Sequence, residues 1–477
     1  MPSRHYKLFN SKLFQSILAI ILVCVGAYLV TIFTQEFFWG QGYFHGTHYD
    51  FLAFFSAGHL ALHGQIAQIY DPAILTKFQY SIVPHSVGAG GYMPFLNPPF
   101  VAVLLSPLAL LSINTARVVW FLLNLGLVSL VAFWLVQRLN WPYAKPRTIQ
   151  GAPARDENCF IRVKRIFRYV EQRKTVFQPG WWGLGVQGFC VSPVKGNLTK
   201  ILLTLLIVCA YPVYQNLIEG QLSIILLAGS LLALWFGERQ KLLLSGAFLS
   251  VLIIKPQLAL FVGIGLVIFK QWRVLIGMAA SSIAILALTL PITGLKLYST
   301  YLHFSSGVIS SHLNGAGAVV QSVWQGTLQF SIGINGMFTS LFGQANVGWV
   351  NSLTFTTIFG LLILYAMAIR KVKPGFGDTP QKLMLMASIA LVLLVDPHAY
   401  AQDLILAFVL LPILLSLRPK VSTVLVFLAF IQLIIIDQHV PIHLVTISLL
   451  TLVITILIDV AKSYNGRQSI FHKLVIC

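Results

Sequence analysis

Charged residues are scarce in this chain, and their scarcity excludes a soluble fold. Only 9% of the 477 residues are Asp, Glu, Lys or Arg, whereas an ordinary globular domain carries about 25%. Hydrophobic residues make up 57% of the sequence, and its mean hydropathy is +0.82. The net charge of +19 does not indicate a nucleic-acid partner, because the basic residues punctuate long apolar runs instead of clustering on one water-facing surface. The composition therefore predicts an integral membrane protein.

Cysteine and the common phosphate and metal motifs are scarce as well. The five cysteines predict no structural disulfide, because Cys24 and Cys209 lie inside apolar runs and Cys159, Cys190 and Cys477 fall in segments predicted to be cytoplasmic. The chain contains neither a Gly-rich phosphate loop nor a DxD motif, so we predict no nucleotide-sugar site, no metal and no other cofactor. It also shows no internal repeat, which weakens a transporter interpretation.

Long apolar segments dominate what is present. About twelve of them could span a membrane, since a spanning helix needs about 20 residues and somewhat fewer where the bilayer thins. A short apolar segment at 100–111 contains Pro107, so we predict a juxtamembrane or re-entrant helix there. The first span has basic residues before it and no small-residue cleavage site after it, which predicts a retained helix rather than a signal peptide. The predicted spans are 13–34, 118–137, 201–215, 221–237, 242–254, 257–269, 274–292, 347–369, 383–396, 403–417, 421–436 and 442–460.

The basic residues predict a topology in which both termini are cytoplasmic. In this topology all Lys and Arg residues lie on the cytoplasmic side, as the positive-inside rule requires, except Lys77, Arg117, Lys255 and Lys296. Most acidic residues and histidines fall on the opposite side. We therefore expect a multipass protein of a bacterial inner membrane, whose polar chemistry faces away from the cytoplasm.

Three long connections interrupt what is otherwise one integral membrane domain, 1–477. The outer loop 35–117 carries an expected amphipathic helix at 50–63 together with the re-entrant segment, and a second outer loop covers 293–346. The cytoplasmic loop 138–200 is strongly basic. Within it, residues 160–174 place an apolar face against Arg and Lys at helical spacing, which is typical of an interfacial helix on anionic lipids.

Asp50 is the candidate catalytic residue. It stands at the start of the predicted helix in the first outer loop, where free backbone N–H groups and the helix dipole stabilise a carboxylate anion. An ionised carboxylate could act as a general base, but the same position also suits a plain helix cap. His59 and His63, at i and i+4 on that helix, have a spacing that can bind metal, but no Glu completes a metal motif, and the surrounding Phe and Leu favour packing or a position at the membrane interface.

Lys255 is the candidate for binding phosphate. It stands between two apolar runs in LIIKPQLAL, where an amine is costly unless it reaches the interface or meets an anion. A lipid phosphate is the natural partner, and snorkelling to the headgroups is the alternative. Arg117 and Lys77 are weaker candidates for the same role.

Two polar clusters at predicted outer helix ends resemble sugar-binding sites. One is Glu219 to Gln221, in YQNLIEGQLSI, and the other is the run 396–403, which contains His398, Tyr400 and Asp403. Such side chains bind sugar hydroxyls, and aromatic rings stack on sugar rings. Capping of helix ends by loop residues explains each cluster separately, but it explains less well why both clusters lie on the same predicted side of the membrane.

Together these segments resemble glycosyltransferase family 87, the polyprenol-phosphate-mannose-dependent mannosyltransferases. The matching pieces, in order, are Asp50 with FLAFFSAGHLALHGQIAQIYDP, NPPFVAVLLSPLALLS, ARVVWFLLN, GQLSIILLAGSLLALW, LIIKPQLAL and DPHAYAQDL. The resemblance implies the all-α GT-C membrane fold and an inverting transfer outside the cytoplasm, with Asp50 as general base. The long basic loop 138–200, and Asp396 where a small residue is expected, depart from the family pattern.

We therefore predict a membrane hexosyltransferase that uses a polyprenyl-phosphate sugar, with mannose as the expected hexose, and a glycolipid or glycan acceptor. Lys255 would stabilise the leaving phosphate, because a cation lowers the cost of charge that develops in a poorly hydrated site. His398, Asp403, Glu219, Gln221, Arg117 and Tyr400 would contact the donor phosphate or substrate. The alternatives are a transporter or flippase of lipid-linked sugars and an O-antigen-ligase-like enzyme.

Overall fold

The computed structural model describes most of the predicted membrane region. The described residues are 12–34, 50–83, 93–138, 197–310, 328–343, 346–370, 372, 379–396, 399–416, 421–439 and 443–463. Within these ranges the protein is all-α and contains no β-strand. The predicted interfacial helix at 160–174 and His398 lie outside the described residues.

The helices follow the predicted apolar segments closely. In the described part of the chain, five short 3-10 helices join them, at Ile66–Gln68, Ser106–Leu110, Ser250–Ile254, Leu328–Phe330 and Asp403–Val409. In chain order the α-helices are α1 (Lys12–Thr34), α2 (Asp50–Leu62), α3 (Pro72–Ile82), α4 (Pro99–Leu105), α5 (Ile113–Arg138), α6 (Asn197–Val208), α7 (Tyr211–Glu219), α8 (Ser223–Glu238), α9 (Leu242–Leu249), α10 (Pro256–Ile268), α11 (Trp272–Ser310), α12 (Ile334–Phe342), α13 (Val347–Ile369), α14 (Thr379–Val395), α15 (Leu410–Ser416), α16 (Val421–Gln432), α17 (Ile434–His439) and α18 (Leu444–Ser463).

Three of the described helices are long and apolar enough to cross a membrane alone: Ile113–Gln137, Trp272–Ser306 and Gly348–Ile369. Nine further apolar helices have 10 to 17 residues. The predicted span 201–215 is divided between α6 and α7, because Pro212 begins the new helix and proline cannot continue the old one. The chain is thus an all-α polytopic membrane protein, and the full count of crossings stays a prediction.

Helix α2 differs from the amphipathic helix expected in the first outer loop. Ten of its thirteen residues are buried, on all sides of the helix. It crosses α4 at Gly58, where an added Cβ would lie 3.0 Å from the Leu105 carbonyl oxygen. The burial of its apolar side chains, including three phenylalanines, stabilises α2 as a core element. Asp50 is the first residue of α2, so its backbone is held by a well-packed helix.

The two predicted outer segments are in contact. Helix α11 continues past a break at Gly294, whose φ is 66°, so the beginning of the predicted loop 293–346 is helical. Tyr301 and Phe304 on this extension pack on Tyr70 of the first segment, each at 5.6 Å between ring centroids. The Tyr70 hydroxyl donates to the Asn97 carbonyl at 2.6 Å, which ties the aromatic cluster to the turn before α4.

Candidate active site

Five of the predicted site residues converge at helix ends. Asp50 begins α2, and Glu219 ends α7. Gln221 lies in the short connection from α7 to α8, Lys255 immediately precedes α10, and Asp403 begins a 3-10 helix. Segments that are up to 353 residues apart in sequence therefore contribute ionisable and amide groups to one cluster.

The Asp50 carboxylate is hydrogen-bonded to the Gln221 side chain. The amide nitrogen Nε2 of Gln221 donates to Oδ2 of Asp50. Gln221 is only 5% exposed, and its backbone N–H donates to the Asn216 carbonyl at 3.0 Å. The Gln221 amide that donates to Asp50 is therefore held in place by the backbone hydrogen bond of Gln221 as well as by burial.

A close backbone approach at Gly220 brings Gln221 to Asp50. Gly220 ends α7 in the left-handed conformation, with φ 70°. A Cβ at this position would lie 2.6 Å from the Cβ of Phe51, so only glycine fits against the residue that follows Asp50. Trp120 fixes the same contact from α5, because its indole N–H donates to the Gly220 carbonyl at 2.8 Å and its ring stacks on Phe51 at 6.4 Å.

Lys255 forms an ion pair with Asp403, and the two side chains differ in access. The ammonium of Lys255 donates to Oδ1 of Asp403, and the Lys255 side chain is 15% exposed whereas that of Asp403 is 0% exposed. Asp403 also accepts from the Ser223 hydroxyl at 2.7 Å and, through Oδ2, from the backbone N–H of Tyr400 at 3.4 Å. Asp403 is thus a buried anchor, and Lys255 is the member of the pair with access to a ligand.

Burial sets the protonation of the carboxyl groups. It raises the pKa of Asp50 to about 6, with the Lys255 ammonium opposing this rise and the Asp403 carboxylate adding to it. Burial raises the pKa of Glu219 well above its usual range, and the nearby charges of Asp50 and Asp403 raise it further. Three carboxyl groups thus face one ammonium, and burial and the like charges both favour the neutral form of Glu219. Asp50 has the poised pKa of a general base.

An apolar cavity of about 230 Å³ lies between α8, α9, α10 and α14. Its wall includes Leu252 and Leu258, which flank Lys255 in sequence, and Leu406 from the 3-10 helix that Asp403 begins. At another part of the wall the hydroxyls of Tyr365 and Ser388 are 2.6 Å apart and satisfy each other. Three of its wall residues are thus each three positions along the chain from Lys255 or Asp403, and an apolar wall of this kind suits the hydrocarbon part of a ligand.

The other predicted residues are less central or lie outside the described ranges. Arg117 is 8% exposed on α5, three residues before Trp120. Tyr400 contributes its backbone N–H to Asp403. The rings of His59 and His63 lie 4.0 Å apart, and Phe78 stacks on His59 at 4.5 Å, so aromatic packing accounts for this pair.

Sequence reasoning missed three residues that build the site: Trp120, Gly220 and Ser223. A signal existed for Gly220, because a glycine directly after a helix that ends in Glu219 is a common C-terminal cap. Ser223 and Trp120 gave no such signal, since their partners are 180 and 100 residues away in sequence.

Comparison with known proteins gave one family match. The model of glycosyltransferase family 87 matches residues 95–397, more than half of the chain. The matched region contains Arg117, Glu219, Gln221 and Lys255, whereas Asp50 and Asp403 lie beyond its two ends. Searches of curated proteins and of solved structures found no match.

Proposed function

The chain belongs to glycosyltransferase family 87, and from this membership we propose that it is an inverting hexosyltransferase of the GT-C type. It transfers a hexose, with mannose the first expectation, from a polyprenyl-phosphate sugar to a glycolipid or glycan acceptor. The reaction takes place on the non-cytoplasmic face of a bacterial inner membrane. The observation that carries this proposal is the convergence of Asp50 and the Lys255–Asp403 ion pair in one buried cluster.

Asp50 acts as the general base. Gln221 occupies Oδ2 of its carboxylate, so Oδ1 is the oxygen that accepts the proton of the acceptor hydroxyl. The deprotonating hydroxyl oxygen attacks the anomeric carbon and forms the new glycosidic bond. The bond from that carbon to the phosphate oxygen breaks, and its electron pair leaves with the polyprenyl phosphate. Attack opposite to the departing phosphate inverts the anomeric configuration.

Lys255 stabilises the departing phosphate. An ammonium carries three N–H groups, so its bond to Asp403 leaves capacity for a second anion. A preorganised cation in a poorly hydrated site stabilises charge that develops in the transition state more than it does in water. Asp403 supports Lys255, while Glu219, Arg117, Tyr400 and His398 provide the remaining polar contacts to donor or acceptor.

The apolar cavity supports a lipid-linked donor. A nucleotide sugar needs polar partners along its length, whereas a polyprenyl chain needs a hydrocarbon surface beside the phosphate site. Leu252 and Leu258, three positions on either side of Lys255 in the sequence, both line the cavity. The first isoprene units of the donor would occupy this space, with the phosphate at Lys255.

The deciding experiment is transfer of labelled sugar in liposomes. Purified wild type and Asp50→Asn would each be given polyprenyl-phosphate mannose or polyprenyl-phosphate glucose with membrane lipids as acceptors. Wild type should form product with one donor, and Asp50→Asn should lose it by at least about 100-fold.

The matched control is Asp71→Asn. Asp71 is an exposed carboxylate that caps α3 through the backbone N–H groups of Ala73 and Ile74. This variant should keep its transfer activity. Normal turnover by a folded Asp50→Asn variant would overturn the base assignment, and movement of lipid-linked sugar across the bilayer without transfer would favour a flippase.

A further inference from the structure

The connection between α7 and α8 carries two hydrogen-bond donors that serve different halves of the site. Gln221 donates to Asp50, whereas Ser223, only two residues later, donates to Asp403 at 2.7 Å. Asp403 in turn holds Lys255. One short turn, Glu219–Ser223, therefore joins the base to the counter-ion of the cation. We refer to these five residues as the 219–223 turn.

The 219–223 turn is itself bonded to α5 and to α7, and α7 is bonded in turn to the residue before Asp403. Trp120 of α5 donates to the Gly220 carbonyl, and the backbone N–H of Gln221 donates to the Asn216 carbonyl. The side-chain amide of Asn216 donates to the carbonyl of Gln402 at 2.7 Å, next to Asp403. The missing Cβ of Gly220 lets the turn lie against Phe51. The turn thus has little freedom relative to either carboxylate.

We infer that the 219–223 turn is a positioning element that sets the base and the phosphate-binding cation at a fixed separation. Gln221 orients the Asp50 carboxylate so that one oxygen faces the acceptor, and Ser223 holds Asp403 and, through it, Lys255. Neither Gln221 nor Ser223 needs to touch substrate for this role. The inference rests on the proposed transferase function, because it assigns how that site keeps its geometry.

The physical argument is that an in-line displacement depends on the relative placement of two groups. The base must lie on one side of the anomeric carbon and the phosphate-binding cation on the other, and a small displacement of either group lowers the rate strongly. The two groups come from α2 and from the residue before α10, which are distant in sequence. A turn bonded to both sides removes their relative motion more effectively than two separate supports would.

Gln221→Leu and Gln221→Glu test the base half. Losing the amide donor destabilises the Asp50 anion, so the acidic limb of kcat/KM should move to higher pH, by on the order of one pH unit. Gln221→Glu keeps the side-chain volume and adds a negative charge, so it should move the limb in the same direction. The charged groups that face Asp50 are Glu219, Lys255 and Asp403, and they are unchanged in both variants. The KM for donor should stay within about twofold.

Gln79→Leu is the matched control for lost amide bonds. Gln79 is 0% exposed and its amide bonds both the N–H and the C=O of Met93, at 2.8 Å each. This variant should lower the melting temperature and leave the pH profile in place. A pH profile of Gln221→Leu that coincides with that of wild type would overturn the base half of the inference.

Ser223→Ala tests the cation half. Without the hydroxyl, Asp403 and Lys255 lose a support, so the KM for donor and the inhibition constant for polyprenyl phosphate should rise by about threefold to tenfold, while the acidic limb stays in place. Ser56→Ala is the control, because the Ser56 hydroxyl is equally buried but bonds only the Leu52 carbonyl of its own helix at 2.6 Å. Unchanged donor kinetics in folded Ser223→Ala would overturn this half.

The inference and the function fail in distinguishable ways. Absence of transfer by wild type with every donor contradicts the proposed function. If wild type transfers sugar and the variants keep the pH profile and the donor KM of wild type, only the inference is contradicted. The reverse pattern, in which the Gln221 variants change the KM for donor and Ser223→Ala shifts the pH profile, would contradict the assignment of Gln221 to the base and of Ser223 to the cation.

Discussion

At the scale of single residues, the protonation of Asp50 predicts how the rate depends on pH. The pKa of this carboxyl is raised to about 6, and only its ionised form can accept a proton from the acceptor. kcat/KM should therefore rise with pH through about 6 and level off above about 7. Initial rates in liposomes buffered between about pH 5 and pH 8 measure this limb. A rate that falls as pH rises through 6 would contradict the assignment.

A second prediction at this scale concerns the Lys255–Asp403 ion pair. Lys255→Met leaves Asp403 buried at 0% exposure without its cation, and breaking a buried pair in this way costs roughly 3 kcal/mol. We expect a lower melting temperature and a loss of transfer of about 100-fold. The double variant Lys255→Met, Asp403→Leu should recover the melting temperature but not the transfer.

The two readouts separate the structural role of the pair from its chemical role. Lys77→Met is the control, since Lys77 is an exposed lysine on α3 and is not a member of the cluster, and its loss should change neither quantity. Full transfer by the double variant would show that the reaction needs no cation at this position. An unchanged melting temperature in Lys255→Met would show that the pair does not stabilise the fold.

At the scale of elements, two glycines with the same backbone conformation allow the effect of backbone strain to be distinguished from the effect of a steric contact. Gly220 and Gly64 have φ values of 70° and 72°, but an added Cβ meets Phe51 at Gly220 and nothing within 4 Å at Gly64. Alanine should cost about 1 to 2 kcal/mol of left-handed strain at either position. Only Gly220→Ala should also displace Phe51, and with it Asp50.

Transfer activity and melting temperature of both alanine variants test this difference. Gly64→Ala should lose a few degrees of melting temperature and keep its activity, whereas Gly220→Ala should lose at least about tenfold in kcat. Equal activity in the two variants would mean that the position of the turn against α2 does not control the base.

The sequence predicts the helices well because each of these helices coincides with an apolar run. Each predicted span corresponds to a helix or to a pair of helices, and the division of 201–215 follows from Pro212. The family was also predicted, from the order of segments that are loose when taken singly, and the match over 95–397 confirms it. The burial of α2 was not predicted, because its run of Phe, Leu and Ala is apolar on every face and periodicity alone does not show what packs around it.

The candidate site was predictable as a set of residues but not as a network. Asp50, Lys255 and Asp403 are recognisable because a charge beside an apolar run is costly and needs a reason. Their pairing is not encoded locally, so the bonds from Gln221 to Asp50 and from Ser223 to Asp403 emerge only when α2, α8 and the 403–409 helix meet. A serine at the start of an apolar helix gives no sign that its hydroxyl supports a carboxylate.

At the scale of the whole molecule, two patterns predict the position of the site relative to the membrane. The basic residues predict which helix ends face the cytoplasm, and the cluster of Asp50, Glu219, Gln221, Lys255 and Asp403 gathers helix ends predicted for the opposite side. A convergence of five such ends at one place is expected if the predicted topology holds, since ends on different sides would be separated by about 30 Å of hydrocarbon.

Labelling of single cysteines measures that topology. In a variant without the five native cysteines, Lys77→Cys and Lys241→Cys place a thiol at exposed positions, one in the predicted first outer loop and the other in a predicted cytoplasmic turn. A membrane-impermeant maleimide should label Lys77→Cys in intact cells and Lys241→Cys only after permeabilisation. Transfer by both variants would show that each is folded. Labelling in the reverse order would place the site on the cytoplasmic face, where nucleotide sugars are made, and would remove the reason for a lipid-linked donor.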